Sequence, residues 1–471
     1  MASVRSVCVS LLAWSVLGCG SVSSSPDGGQ DAAAGAAGVG AAGAGQAGAS
    51  AAGAGAAAGS TGAAGAGAAG AGGATSPAAP GPFTLKTPVD GDPTVSPTPT
   101  LTWNASAGGA LSYIVEIATT PAFDTADVKQ TAGITTTSLT LTDALLPGVI
   151  YYWRVAAVSG GGETFASDGP FAMSSPVAAG PSPHGIAVTP DGKQAVVTND
   201  KPSGSVTLVD LAAFTTQTIA LTGQPGMVAV TPDGAHALVA EGSPNNVVVV
   251  DLAGKTVAGT ISPPCVATTL YGIAIAPDGT AAVLPDFNAG CTKDVLDVVA
   301  LPGTAIAPVY DLGTSASAFG VAVTPNSSTA LVTRGILTTS IKRVELATGA
   351  LTTIANTSAS FGVAVAPGGA EALVSSGEGD TIKRISLTSN TVTGMITFET
   401  NQDVGNLAIA PNGKLAVAVG DFKIGIINLT DGGVARSVSL TGRSVAITPD
   451  GHRALVTGTG ATGKVYVIPL P

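Results

Sequence analysis

Charged, aromatic and histidine side chains are scarce in this sequence. Of its 471 residues, 10% are Asp, Glu, Lys or Arg, 4% are aromatic and three are histidine. The formal net charge is −11, and residues 177–471 contain 15 lysines and arginines against 20 aspartates and glutamates. A protein that grips a nucleic-acid backbone needs a basic surface, which this composition does not provide. We therefore expect no nucleic-acid partner.

The motifs of the common catalytic and cofactor sites are also missing. The sequence has no cluster of His, Cys and carboxylate residues with zinc spacing, no Gly-x-Ser-x-Gly elbow and no Walker-type phosphate loop. No catalytic residue is therefore assigned, and we expect neither a metal nor a cofactor.

Long hydrophobic runs are absent, and the most apolar stretch lies at the N-terminus. Val7 to Leu17 is mostly hydrophobic and follows Arg5, the only basic residue before it. This pattern is typical of an export signal, and the run is too short to span a bilayer.

The end of this run, Val16-Leu17-Gly18-Cys19, resembles a bacterial lipobox. The resemblance implies a lipoprotein signal peptide over residues 1–19 and a lipid on Cys19 that attaches the protein to a membrane. Gly20 favours the outer membrane of the cell envelope, with its periplasmic and cell-surface sides both open. An ordinary secretory signal is the alternative interpretation.

Residues 20–80 are almost entirely Ala and Gly, with some Ser and Asp. Such a segment has too little apolar bulk to offset the entropy lost on ordering, so we predict a disordered Ala/Gly-rich tether. A flexible chain of about 60 residues has a root-mean-square span on the order of 40 Å.

Residues 81–175 have the pattern of a small β-sandwich. Alternating apolar runs separated by turns predict roughly seven strands in about 95 residues. The segment Tyr151-Tyr152-Trp153-Arg154-Val155, preceded by Leu146-Pro147-Gly148, resembles a fibronectin type III domain. That resemblance implies that Trp103 and Trp153 are core residues. It also implies that the Tyr151 hydroxyl bonds back to the backbone as a tyrosine corner.

From residue 176 onward one pattern recurs seven times. Its first copy, Pro183 to Asp200, reads PHGIAVTPDGKQAVVTND. The turn proline recurs at intervals of 42, 45, 48, 42, 44 and 38 residues, a length typical of a four-stranded propeller blade. These prolines are Pro190, Pro232, Pro277, Pro325, Pro367, Pro411 and Pro449.

Two features of the repeat predict how the blades are built. Pro-Asp-Gly favours a type I turn with Gly at positive φ, which joins the first two strands. An alanine stands three residues before each proline, from Ala187 to Ala446, where seven inner strands converge and only small side chains fit. The last repeat lacks an outer strand, and we predict that Phe171 to Ala178 supplies it.

The predicted fold class is therefore all-β. A fibronectin type III-like β-sandwich at residues 81–175 is followed by a seven-bladed β-propeller at residues 176–471, and the disordered Ala/Gly-rich tether precedes both.

The end of the second strand in three repeats resembles the signature of the YVTN family of propellers, which is similar to the YncE-like and lactonase-type propellers. The matching segments are VVTN at Val196–Asn199, LVTR at Leu331–Arg334 and LVTG at Leu455–Gly458, with the namesake Tyr replaced in all three. The resemblance covers about Val177 to Pro471 and implies the fold. It leaves activity open, because the family includes binding proteins and enzymes. The absence of tryptophan from this region argues against the tryptophan-rich quinone-cofactor propellers.

Equivalent positions six residues before each turn proline are predicted to surround one mouth of the propeller. An aromatic and cationic lining there suits a peptide, a glycan or a small anion. The alternative is that the aromatic side chains pack between blades. The candidate ligand-binding residues are His184, Tyr271, Phe319, Phe361 and Arg443.

Four cysteines are present. Cys8 leaves with the signal peptide and Cys19 carries the lipid, so Cys265 and Cys291 remain beside the third repeat. In an exported chain we expect a disulfide between them. Two free buried thiols are the alternative.

Together these features favour a lipid-anchored binding or scaffold protein, expected to be a monomer, whose propeller takes a protein, peptide or glycan ligand. A lactonase-like hydrolase acting on a small lactone or sugar derivative is the alternative, and it requires a His or carboxylate pair at the mouth. A purely structural envelope spacer is the third possibility.

Overall fold

The structure is a computed structural model in which every described regular element is a β-strand. In this described part of the chain no helix is long and apolar enough to cross a membrane. The described residues form one compact unit. They are residues 77–263, 269–270, 272–287, 293–314, 318–335, 340–355, 360–376, 379–398, 403–460 and 463–471. The predictions that concern the signal peptide, most of the Ala/Gly-rich tether, Cys19, Cys265, Tyr271 and Cys291 lie outside these ranges.

Eight strands, one more than predicted, form a two-sheet β-sandwich after the tether. One sheet has the order β1-β2-β5, and the other has the order β4-β3-β6-β7 with β8 paired to β6. The strands are β1 (Leu85–Thr87), β2 (Thr100–Trp103), β3 (Ser112–Ala118), β4 (Lys129–Ile134), β5 (Ser138–Thr140), β6 (Ile150–Ser159), β7 (Gly162–Phe165) and β8 (Phe171–Ser174).

The sandwich core is built around its two tryptophans, as the sequence predicted. Trp103 and Trp153 are both buried, and the Trp153 ring meets Phe171 edge-on with a centroid distance of 6.0 Å. The backbone N–H of Leu146 donates to the Tyr151 hydroxyl over 3.2 Å, so this tyrosine ties the β6 strand to the preceding turn.

Seven antiparallel sheets then form the propeller, and in the first six the strands follow chain order from the inside outward, whereas the outer strand of the seventh is β9. The inner strand β10 contacts both β14 and β35, so the ring is closed. Blade 1 contains β10 (Pro183–Val188), β11 (Gln194–Asn199), β12 (Ser205–Asp210) and β13 (Thr216–Ala220). Blade 2 contains β14 (Pro225–Val230), β15 (His236–Gly242), β16 (Asn245–Asp251) and β17 (Thr256–Ile261). Blade 3 contains β18 (Thr269–Leu270), β19 (Ala274–Ile275), β20 (Ala281–Phe287), β21 (Lys293–Ala300) and β22 (Ile306–Thr314). Blade 4 contains β23 (Ala318–Val323), β24 (Thr329–Arg334), β25 (Ile341–Glu345) and β26 (Leu351–Ile354). Blade 5 contains β27 (Val363–Val365), β28 (Glu371–Ser375), β29 (Thr381–Ser386) and β30 (Thr391–Thr397). Blade 6 contains β31 (Leu407–Ile409), β32 (Leu415–Val419), β33 (Lys423–Asn428) and β34 (Gly433–Ser439). Blade 7 contains β35 (Gly442–Ile447), β36 (Arg453–Gly458), β37 (Lys464–Pro469) and β9 (Val177–Ala178).

The turn between the first two strands of each blade follows the predicted chemistry. In blade 1, the N–H of Gly192 donates to the Thr189 carbonyl over 2.8 Å, and Gly192 has φ +70°. The Asp191 carboxylate accepts from the Thr189 hydroxyl and from the N–H of Lys193. Six blades place glycine at this positive-φ position, and blade 4 places Ser327 there with φ +59°.

Blade 7 is completed by residues from before the first repeat, but by fewer than predicted. Only β9 pairs with β37, through Val177 and Ala178. The prediction that the pairing strand starts at Phe171 is wrong, because β8 pairs with β6 of the sandwich. The apolar side chains decide this, since Phe171 and Met173 pack into the sandwich core.

The sandwich covers the rest of this blade's outer edge. The buried Ser174 hydroxyl donates to the carbonyl of Val467 over 2.7 Å. Ile150 packs on the apolar cluster shared by blades 7 and 1. The sandwich therefore shields the part of β37 that the short β9 strand does not pair with.

Candidate functional site at the propeller mouth

The inner strands enter the blades at the mouth with an irregular pairing. In blade 1 the register of β10 and β11 shifts between Pro183 and Ile186, which leaves the N–H of Gly185 without a ladder partner. The hydroxyl of Thr198 accepts from it over 2.8 Å. The same bond recurs in three further blades, with Thr333, Ser375 and Thr457 as the acceptors.

These hydroxyls also reach the next blade. Thr457 donates to the His184 carbonyl over 2.8 Å, and Thr333 donates to the Phe361 carbonyl over 2.9 Å. Thr198 and Ser375 bond to Gly226 and Gly405 in the same way. We call this bond the mouth clasp. Its donors include the threonine of every YVTN-like segment, and it fixes the backbone at two of the candidate residues.

Three of the four clasps have glycine as the residue whose N–H donates to the hydroxyl, and the fourth has Ser444. At Gly320, a Cβ atom would lie 2.2 Å from the carbonyl oxygen of Phe361 in the next blade. A side chain there would push blades 4 and 5 apart and displace Phe361.

Blades 7 and 1 contribute a polar wall, which consists of His184, Asp200, Gln224 and Arg443. Arg443 Nη1 lies 3.4 Å from Asp200 Oδ2, and His184 Nδ1 lies 3.8 Å from the same oxygen. The other carboxylate oxygen accepts from Gln224 Nε2 over 2.6 Å. Arg443 keeps 41% of its side chain exposed, so its guanidinium is held in position and remains accessible.

The electrostatics of this wall favour a neutral imidazole. Burial lowers the pKa of His184 below its ordinary value, the Asp200 carboxylate opposes this, and the Arg443 guanidinium lowers the pKa further. At 3.8 Å the Nδ1 atom is too far from Asp200 for a hydrogen bond, and no other residue in the described part of the chain bonds to it. His184 is therefore a neutral base or acceptor near neutral pH.

Blades 4 and 5 contribute an aromatic wall, which consists of Phe319 and Phe361. Their ring centroids are 4.6 Å apart and the rings are tilted by 33°. Both side chains are partly exposed. With seven blades, this wall stands on the side of the ring opposite the polar wall.

Of the six residues in the two walls, the sequence identified four and missed Asp200 and Gln224. An acidic residue after the second strand of a blade, such as Asp200, is usually a solvated loop residue, but the side chain of Asp200 is only 20% exposed. The signal was the hairpin itself, because antiparallel pairing brings the end of β11 beside the start of β10, and the N–H of Asp200 donates to the Ser182 carbonyl. Gln224 lies in the connection between blades 1 and 2, where no periodic pattern marks it.

The mouth provides one exposed cation, one neutral imidazole, one shared carboxylate and an aromatic pair. These groups can bind an anion and stack a ring. In the described part of the chain, no three His, Cys, Asp or Glu side chains come together as a metal site requires.

Comparison with known proteins supports the architecture. No protein-family model matches this chain. No curated protein sequence matches it either. Among solved structures, hydrazine synthase from Kuenenia stuttgartiensis is similar, with 21% identity and a TM-score of 0.56. The match covers 62% of this chain and 96% of that chain. At this identity the similarity shows the fold alone, which is that of a β-propeller.

Proposed function

We propose that this protein is a lipid-anchored binding protein of the cell envelope whose propeller mouth is the ligand-binding face. The observation that carries the proposal is the pairing of two different walls at one mouth. Arg443 is held by Asp200 beside His184, and the stacked pair Phe319 and Phe361 stands on the other side of the ring.

The chemistry of the walls favours a ligand that combines an anionic group with a ring or an apolar face. Asp200 holds the Arg443 guanidinium in position while much of that side chain stays exposed, so its remaining N–H groups can donate to an incoming anion. The phenylalanine rings offer a surface for stacking. Acidic glycans and peptides with a free carboxylate have both features.

A thermal-shift screen of the full chain tests this proposal. The panel consists of acidic and neutral glycans, peptides, organic acids and lactones. A ligand at a hundred times its dissociation constant stabilises the folded state by about 2.7 kcal/mol. Arg443→Ala and Phe361→Ala are expected to weaken binding by roughly tenfold or more. Lys193→Ala removes an exposed charge from the far face and leaves binding unchanged. Binding that is unaffected in both mouth variants contradicts the proposal.

A lactonase-like hydrolase is the second candidate, and the His184–Asp200 pair favours it. A neutral imidazole beside a carboxylate can activate water for attack on a lactone carbonyl. The test is lactone hydrolysis by wild type, His184→Asn and Arg443→Ala. Equal turnover in all three variants counts against catalysis at this mouth.

The envelope attachment rests on the N-terminal sequence. We infer that Cys19 is acylated and becomes the first residue of the mature chain once residues 1–18 are removed, and that the protein is tethered to the outer membrane. Cys19→Ser is expected to move the protein from the membrane fraction to the soluble fraction. Retention of the variant in the membrane fraction contradicts the inference.

Two further proposals concern the folded region. We infer that the sandwich is a fibronectin type III-like domain, which the Leu146–Tyr151 bond supports. We also infer a disulfide between Cys265 and Cys291, and mass spectrometry of non-reduced peptides should recover the two linked. Recovery of both cysteines as free thiols contradicts it.

We also infer that the protein is a monomer when it binds its peptide, glycan or protein ligand. Sedimentation of the full chain in detergent should give the mass of one chain.

A further inference from the structure

The seven interfaces between neighbouring blades differ in the hydrogen bonds that cross them. The mouth clasp crosses from blade 1 to 2, 4 to 5, 5 to 6 and 7 to 1. At the opposite face, an arginine or tyrosine donates to a carbonyl at or just beyond the end of the next blade's third strand, a bond we call the outer staple. It crosses from blade 3 to 4, 4 to 5, 5 to 6, 6 to 7 and 7 to 1, with Tyr310, Arg343, Arg384, Arg436 and Arg453 as donors.

Neither bond crosses from blade 2 to blade 3 within the described residues. The clasp position of blade 2 is Ala240, which has no hydroxyl. Apolar packing joins these two blades instead, through a cluster that includes Leu238 and Leu284. We call this interface the 2–3 seam.

Blade 3 turns two carboxylates towards the 2–3 seam. Asp286 in β20 is opposite Val295, and Asp297 in β21 is opposite Leu284. Because opposite residues share a face of the sheet, both aspartates lie on the same face as Leu284, towards blade 2. Both are fully buried, and within the described ranges none of their four carboxylate oxygens has a hydrogen-bond partner.

The charged groups of blade 3 are directed elsewhere. Lys293, further along the same face, pairs with Asp311 near the surface. On the other face of β21, Asp294 pairs with Arg334 of blade 4 over 3.0 Å.

Blade 2 brings no lysine or arginine to the pair. The residues that β15 and β16 turn towards blade 3 include Leu238, Ala240 and Val247. His236 and Asp251 are opposite each other at the far end of these strands, beside the turns. The two buried carboxylates therefore have no described cation to neutralise them.

Protons are the counter-ions that these surroundings favour. Burial raises the pKa of Asp286 to about 7, with the Asp297 and Asp294 carboxylates adding to the effect. Burial also raises the pKa of Asp297 to about 6. No group of three or more potential metal ligands occurs among the described residues, and two unpaired ions in an apolar interface would lose their hydration without compensation.

We propose that Asp286 and Asp297 form a proton-binding pair that keeps the 2–3 seam closed when protonated and allows it to open when ionised. In an open seam the carboxyls regain water and ordinary acidity. The open state then binds fewer protons, so rising pH favours opening. The closed seam has its full stability below about pH 4, loses it as the pH rises to about 7, and remains weakened above that.

Hydrogen–deuterium exchange of the full chain tests the proposal. After correction for the intrinsic exchange rate, opening of β20 and β21 is expected to increase about tenfold or more between pH 5 and pH 8. In a variant carrying Asp286→Asn and Asp297→Asn, the ratio of opening at pH 8 to opening at pH 5 should stay near one, because amides do not ionise.

Glu241→Gln is the matched control. Glu241 is another buried carboxylate, but it lies in β15 of blade 2 on the same face as Ala237 and Val239, which pack towards blade 1 and not towards β20 and β21. This variant should keep the wild-type pH response in those two strands.

Equal protection of the wild type at both pH values overturns the proposal. Restoration of protection at pH 8 by millimolar Ca²⁺ also overturns it, because a cation would then be the ligand. If the double variant does not fold, comparison of the blades within the wild type still decides: a general alkaline loosening would raise exchange in every blade, and that result overturns the proposal.

Discussion

The mouth clasp makes a quantitative prediction at Thr333. This side chain is fully buried, and its hydroxyl accepts from Gly320 N over 2.8 Å and donates to the Phe361 carbonyl over 2.9 Å. Thr333→Val keeps the shape and removes both bonds. Each buried polar group left unpaired costs about 1 to 3 kcal/mol, so with two such groups the variant should lose about 2 to 6 kcal/mol of unfolding free energy.

Thr333→Ser separates the hydroxyl from the packing. It keeps both hydrogen bonds and loses one methyl group, which costs about 0.8 kcal/mol. Ser375 already makes the equivalent bonds in blade 5, so serine is compatible with this geometry. The valine variant should therefore be less stable than the serine variant by at least about 1 kcal/mol.

Val419 provides the control at the equivalent position of blade 6. The residue there that corresponds to Gly320 is Asn406, and the two strands are joined beside it by the Gly405 N–H, which donates to the Val419 carbonyl over 2.9 Å. Blade 6 therefore closes without a hydroxyl at this position, and Val419→Thr should change stability by less than Thr333→Val does. Urea unfolding of the full chain measures all three variants. Equal stability of Thr333→Val and Thr333→Ser would refute the role of the clasp.

Three further predictions follow from other contacts. Arg453→Met keeps the aliphatic stem but removes the staple to the Leu211 carbonyl, and should cost about 1 kcal/mol in thermal unfolding; no change would show the staple to be passive. Ser174→Ala leaves the Val467 carbonyl unpaired at the sandwich junction and should cost about 1 kcal/mol in the same assay, while unchanged stability would mean that water replaces the hydroxyl. Asp233 has a lowered pKa because the Thr231 hydroxyl and then the Ala235 N–H donate to it. The Asp233 carboxylate therefore stabilises the folded state above about pH 4, and this stabilisation is lost as the pH falls through the pKa of Asp233 in the folded protein. The difference in unfolding free energy between wild type and Asp233→Ala should accordingly become smaller in acid.

Much of the fold could be predicted because the signals that determine each blade lie within a single repeat. The Pro-Asp-Gly turn, the small residue at Ala187 and its equivalents, and the interval between prolines are all local features. They specified seven four-stranded blades and the register of the inner strands. The YVTN-like threonines were recognised as a signature, but their role was hidden. The register shift beside Gly185, which creates their acceptor function, depends on how two strands pair.

The site was harder to predict than the fold. His184 and Arg443 are 259 positions apart in the sequence, and the carboxylate between them, Asp200, belongs to a loop without periodicity. The pair Asp286 and Asp297 was invisible for a similar reason. Buried carboxylates in a strand pattern look like edge residues until the next blade is placed against them. The assignment of Phe171 failed because two sheets compete for adjacent residues.

The way blade 7 is completed also sets an order of assembly. Blades 1 to 6 consist of strands that follow each other along the chain, so each can form from hairpins as soon as it is synthesised. The last blade joins β9 to β37, and the nearby Ser174 and Val467 are 293 residues apart. Strand β9 and the sandwich are therefore synthesised long before β37, the strand that they contact. We expect the pairing of β9 with β37, which closes the propeller, to be the last and slowest step of folding. A chain that lacks only the residues of β37 cannot complete blade 7.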